Sequence, residues 1–263
     1  MFKKILLFLF LIFGLIAAYV FFQIPSDGQI KGCIITSMFN VDLCPKNKNY
    51  VALKNISPLL QRTIIITEDS SFYTHNGFDA EGIEHCIEKI KEKKSLVCGG
   101  STISQQLSKN LFLSKNKNFI RKGLEALITI KIEKTLTKKE ILEKYLNVVQ
   151  FGKNIFGVKQ AAEFYFKKSP AQLDAVESAF LAMVLPSPEK YSQSYFRKDL
   201  TKFARRRLTQ IINSMYKYKS LSEEQFISAT VKLDSFLLKG QQNLNPNDTS
   251  DILTDEDLDE MAN

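Results

Sequence analysis

Residues 5–22, ILLFLFLIFGLIAAYVFF, form an apolar run with no charge and no side-chain amide. As a helix this run would rise roughly 27 Å, close to the roughly 30 Å hydrocarbon core of a bilayer. Lys3 and Lys4 stand just before it, so the positive-inside rule keeps residues 1–4 cytoplasmic and exports the chain beyond residue 22. A cleaved signal peptide has a shorter apolar core followed by an A-x-A-like site, and the run here favours an uncleaved anchor. Residues 23–51 contain Pro25, Gly28, Gly32 and Pro45 and read as a linker.

From residue 52 to 217 the apolar spacing is mostly helical. Asp79 opens a helix over 79–94 with Ile83, Ile87 and Ile90 on one stripe, and residues 101–112 space Ile103, Leu107 and Leu111 four apart. Residues 119–136 are apolar on more than one face, through Ile120, Leu124, Leu127, Ile128, Ile130 and Ile132, which predicts a central helix. The run TKKE at 137–140 predicts a capping box for the helix ILEKYLN. Helices over 157–167 and 170–185 come next, the second stopped by Pro186 and Pro188, and then a basic helix over 199–217. Residues 218–240 are a C-terminal helical extension, and 241–263 read as a polar, acidic, disordered tail. The fold class is mainly α.

Composition changes this picture in one respect. The net charge of the 263-residue chain is +8, but seven acidic residues and no basic ones lie beyond Lys239, so residues 1–239 carry +15. A body that basic suits an anionic partner, and the apolar N-terminus points to a membrane rather than nucleic acid, for which no basic–aromatic binding motif is present. Cys33, Cys44, Cys86 and Cys98 all fall in the exported part. Bridges Cys33–Cys44 and Cys86–Cys98 suit an oxidising compartment, with buried free thiols as the alternative. Only two histidines and no C-x-x-C occur, which argues against a zinc site.

Three stretches carry candidate chemistry. TEDSSFYTHNGFD (67–79) offers Glu68 and Asp69 directly after three isoleucines, where burial could raise a carboxyl pKa toward that of a useful base. His75 beside them is read as a structural histidine. CGGSTISQQLSKN (98–110) is a glycine pair feeding a helix start, an arrangement whose N–H groups can bind phosphate, with Lys109 further along; taken alone, it is equally a capped structural helix. In RKGLEA (121–126), Arg121, Lys122 and Glu125 cluster on one helix face, either as a surface ion pair or as two cations for a diphosphate.

Taken in order with ILEKYLNVVQFG (141–152) and AAEFYF (161–166), these stretches resemble the peptidoglycan glycosyltransferases of family 51, within it most the monofunctional biosynthetic transglycosylases. The resemblance covers roughly residues 52–217. It implies a lysozyme-like domain with a small membrane-proximal lobe, behind one N-terminal transmembrane helix in the bacterial inner membrane. It also implies polymerisation of lipid II into β-1,4-linked glycan, with other cell-wall enzymes as potential partners and a loosely held divalent cation (Mg2+ or Mn2+) compatible with the chemistry. Residue by residue, Glu68 matches the general base and Glu125 the second glutamate. Lys109, Arg121 and Lys122 match diphosphate-holding positions, and Ser101, Gln105 and Gln106 match the cleft lining. Arg207 matches a late basic position, while Asn147 and Gly152 match a motif of structural character. Gln150 and Phe151 depart from the acidic residue and tryptophan common in monofunctional relatives. The alternatives are a glycan hydrolase or lytic transglycosylase of lysozyme-like fold, which has no need of the cation cluster, and a non-catalytic membrane scaffold.

Overall fold

The computed structural model describes residues 2–93, 100–115 and 119–237. The chain opens with α1 (Phe2–Gln23) and α2 (Asp27–Lys31), then a two-stranded antiparallel pair, β1 (Ile34–Ile35) and β2 (Asp42–Leu43). Helices α3 (Pro58–Glu68), α4 (Ala80–Lys93), α5 (Ile103–Phe112), α6 (Phe119–Thr135) and α7 (Lys138–Val148) come next. A second antiparallel pair, β3 (Gln150–Gly152) and β4 (Ile155–Phe156), leads into α8 (Val158–Phe166) and α9 (Ala175–Val184). The chain continues through the short α10 (Pro188–Tyr191) and α11 (Gln193–Arg197) to α12 (Lys202–Lys217) and α13 (Glu223–Asp234). The mainly α expectation agrees with this order, and the acidic tail lies outside the described residues.

The centre of the molecule is α9, not the 119–136 helix. Every residue of α9 is buried, and α3, α10, α12 and α13 pack around it. Helix α6 instead buries Leu124, Ile128 and Ile132 toward α5 and leaves Ile120, Leu127 and Ile130 at least 40% exposed. The apolar stripe of α4 is likewise outward, with Ile83 and Ile87 exposed. The helix predicted over 170–185 is broken. Pro170–Gln172 is a single 3₁₀ turn, and Asp174 then restarts the chain by accepting the N–H groups of Val176 and Glu177. A carboxylate at an N-cap with a glutamate three residues on is a stronger start signal than a proline four residues earlier.

Residues 23–51, expected as a linker, pack against the body, with Ile30 and Leu43 at most 1% exposed. Cys33 and Cys44 are bridged, their Cα atoms 4.6 Å apart, whereas the Cys86–Cys98 pairing falls outside the described residues. Asn147 secures the end of this segment: its Oδ1 accepts the Val51 N–H (2.8 Å) and its Nδ2 donates to the Val51 carbonyl (2.9 Å). Gly157 sits at φ +77, where an added Cβ would lie 2.6 Å from the Asn147 carbonyl oxygen, so close approach and backbone angle both require glycine there. Among the described residues no helix is long and apolar enough to cross a membrane. Many α1 side chains, Phe13 and Ile16 among them, lie outside that set, so the anchor expectation rests on the sequence.

The capping box at the start of α7 forms as predicted. Thr137 Oγ1 accepts the Glu140 N–H (3.3 Å), and Glu140 Oε2 accepts the Thr137 N–H (2.7 Å). Thr137→Ala should cost about 1 kcal/mol of stability, read as a lower urea midpoint. An unchanged midpoint would show that the box contributes nothing here.

Candidate active site

Glu68 is the last residue of α3, a helix held by the burial of Leu60, Thr63, Ile64 and Ile65. The apolar wall that precedes it is also what desolvates it. Burial pushes the Glu68 carboxyl above the usual glutamate range, reinforced by the neighbouring Asp69 charge. A hydrogen bond from Gln106 and the charges of Arg207 and Lys109 pull the other way. Gln106 Nε2 donates to Glu68 Oε2 at 2.9 Å, and the buried Tyr145 hydroxyl on α7 donates to Gln106 Oε1 at 2.9 Å.

Asp69 faces inward and has a different task. Its Oδ1 lies 2.8 Å from His75 Nε2, and its Oδ2 accepts the N–H of Ile103, the first residue of α5, at 2.9 Å. The Gly77 N–H donates to His75 Nδ1 (3.0 Å), so the proton of His75 sits on Nε2 and is given to Asp69. Thr102 caps α5 and donates its hydroxyl to the Gly77 carbonyl (2.7 Å). Residues 69–77 and the α5 start are thus one knot of hydrogen bonds. The anion cradle expected at that helix start is filled by the chain's own Asp69. Gln105 is buried and turned back into the capping box, its Oε1 accepting the Thr102 N–H (3.0 Å). Of the two glutamines, Gln106 is therefore the one at the cleft.

The cleft beside Glu68 has a volume of about 220 Å³ and is walled by Thr67, Ser70, Gly100 and the exposed Ser101. Three residues beyond Gln106 on α5, Lys109 leads toward the α6 cluster. Glu125 is buried, with Arg121 Nη1 at 3.5 Å and Lys122 Nζ at 2.5 Å from its carboxylate oxygens. The Ser108 hydroxyl of α5 donates to the Glu125 carbonyl (3.1 Å) and ties α5 to α6, while the Thr129 hydroxyl donates to the same carbonyl from within α6 (2.7 Å). Burial lowers the Lys109 pKa. Glu125 and Glu68 oppose that shift, while Arg121 and Lys122 add to it. Lys109 therefore lies in the fields of both carboxylates, and three cations face one buried carboxylate at this end. The result is a positive surplus suited to an anion. Arg207, half-buried on α12, completes the set from the other side.

A larger groove of about 1060 Å³ lies against α8, α11 and α13, but its one carboxylate, Glu177, is held by Lys168 at 2.7 Å. It offers no free base. Tyr145 is the participant that residue-by-residue reading left without a role. Its position in ILEKYLN was visible, but its reach to Gln106, 39 residues earlier, was not.

The transglycosylase family model matches residues 35–216, more than half of the chain. The chain belongs to the transglycosylase family. Relatives include a biosynthetic peptidoglycan transglycosylase of Aromatoleum aromaticum, 48% identical over 146 residues, which are 56% of this chain and 64% of that protein. The Haemophilus influenzae protein of the same name is 42% identical over 190 residues, 72% of this chain and 77% of the relative. One of Acinetobacter baumannii is 42% identical over 160 residues, 61% and 71% of the two chains. The match to the Aromatoleum protein thus spans less than two thirds of that relative's length. The transglycosylase match starts within β1, which agrees with the packing of residues 23–51 onto the domain and places its start well before residue 52.

Proposed function

We propose that the chain is a membrane-anchored, monofunctional peptidoglycan glycosyltransferase that joins lipid II units into β-1,4-linked glycan. The observation that carries this reading is helix α5, whose Gln106 holds Glu68 at 2.9 Å and whose Lys109 adds its charge to that of Arg121 and Lys122 around the buried Glu125. Glu68 takes the proton from the acceptor sugar's 4-hydroxyl as its oxygen bonds to C1 of the donor. The C1–O bond to the diphosphate breaks in the same displacement, and the electron pair leaves on the diphosphate. Lys109, Arg121 and Lys122 stabilise that developing charge, so the leaving group needs no proton from the protein. A single displacement inverts an α-linked donor to the β product. Glu125 holds Arg121 and Lys122 in place, and Ser101 and Arg207 border the sugar and phosphate path.

The donor set does not fit a resident metal. Both Glu125 oxygens are taken by cations, and no group of three or more metal-ligating side chains occurs among the described residues. A divalent cation would have to travel with the substrate's diphosphate.

The names of the relatives support a cell-envelope location. Anchoring is supported by the charge-free run 5–22 and by the outward apolar side chains of α1, Phe2, Phe8, Phe10 and Phe22 among them. A tether beside a lipid-linked substrate raises its effective concentration. Lys3 and Lys4 would leave the N-terminus cytoplasmic and the domain outside the membrane.

The test is polymerisation. The full chain in detergent, given lipid II, should yield polymeric glycan resolved by gel electrophoresis. Digestion of finished glycan without polymerisation would replace this reading with a hydrolase, and the absence of both activities would replace it with a scaffold.

A further inference from the structure

Resting on that reading, we infer that Tyr145 is a positioning residue for the general base, acting through Gln106 to aim Glu68 and to select which of its oxygens takes the proton. Gln106 bridges two groups of fixed hydrogen-bonding character. An ionised Glu68 can only accept, so the amide must present Nε2 to it, as it does at 2.9 Å. Gln106 Oε1 then faces Tyr145, whose hydroxyl must donate, as it does at 2.9 Å. Tyr145 is fully buried and keeps its proton, because burial and the nearby charges of Glu68 and Asp69 hold its pKa well above the ordinary tyrosine range. It therefore stays able to donate at any working pH, and the amide cannot turn over without setting Gln106 Oε1 against the Glu68 carboxylate, two acceptors face to face. The chain of bonds occupies Glu68 Oε2 and leaves Oε1, which accepts no hydrogen bond among the described residues, for the incoming hydroxyl.

The inference bears on pH as well. The groups acting on Glu68 are Asp69 beside it, Gln106 and Lys109 from α5, and Arg207 from α12, while the neutral Tyr145 on α7 acts through Gln106. Burial and Asp69 favour the protonated acid, and the other three favour the carboxylate. Freeing Gln106 from Tyr145 leaves its amide free to turn and weakens one of the three, so the Glu68 titration moves to higher pH.

Tyr145→Phe keeps the ring and deletes only the donor. It should lower kcat about tenfold, the loss of roughly one hydrogen bond's worth of alignment, with KM little changed and the acid limb of kcat/KM shifted upward. Adding Tyr145→Phe to Gln106→Leu should cost little more than Gln106→Leu alone. A structural tyrosine would instead lower thermal stability and leave the acid limb where it was. That result, or full additivity with Gln106→Leu, would overturn the inference. The Glu68 carboxyl can also be titrated by carbon-13 NMR in the detergent-solubilised full chain, without substrate. An upward shift in Tyr145→Phe supports the linkage even if no polymerisation is detected, in which case only the proposed function fails.

Discussion

Glu68→Gln should lower polymerisation by about 10³-fold, within the range for loss of a general base, and should leave the protein folded. The amide keeps the shape of the side chain but cannot take the acceptor's proton. Stability should move the opposite way from activity. Because the folded-state pKa of Glu68 is raised, the stability this group confers is fully present below the unfolded pKa. It is lost as pH rises through the folded pKa, so at neutral pH the ionised carboxylate is a burden on the native state. A neutral amide relieves that burden, and the variant should unfold at a urea concentration equal to or above that of the parent. In the parent, the acid limb of kcat/KM should lie above the ordinary glutamate range, because only the ionised form is a base. Unimpaired polymerisation by Glu68→Gln would remove Glu68 from that role.

Asp69→Ala should be the most destabilising single change near the cleft, at about 3 kcal/mol, the cost of leaving two buried donors without partners. Those donors are His75 Nε2–H and the Ile103 N–H, bound by opposite oxygens of one carboxylate whose side chain is only 1% exposed. Asp69→Asn should lose less, since its remaining oxygen can still accept from Ile103 while its amide opposes the His75 proton. Urea unfolding followed by circular dichroism measures both. If Asp69→Ala unfolds at the parental midpoint, the knot is not what supports the base.

Much of this site could be read in the residues. Caps and charges are local signals, and Thr137 with Glu140 and Arg121 with Lys122 and Glu125 meet at the spacing their helices dictate, whereas Gln105, read as cleft lining, closes the Thr102 capping box. What was hidden depends on contacts far apart in the chain. Periodicity counts apolar residues on a face without saying what covers the face. Ile120, Leu127 and Ile130 therefore read as core, while the shorter α9, with its small residues Ala175, Ala179 and Ala182, became the centre. The supposed linker supplied only a few apolar side chains, yet Ile30 and Leu43 are among the best buried. The start of α5 looked free for phosphate because its occupant, Asp69, lies 34 residues earlier.

The central position of α9 couples Glu68 to Arg207. Helix α3, which ends in Glu68, and helix α12, which carries Arg207, pack on α9 and on each other. Base and arginine thus ride on one cooperatively folded block. Among the described residues α4 packs extensively on no other helix, and its Ile83 borders the same cleft. Gly82 of α4 borders that cleft too, whereas the distance from Glu68 to Arg207 is set by the α3–α9–α12 block, so a substitution inside α9 reaches both residues at once.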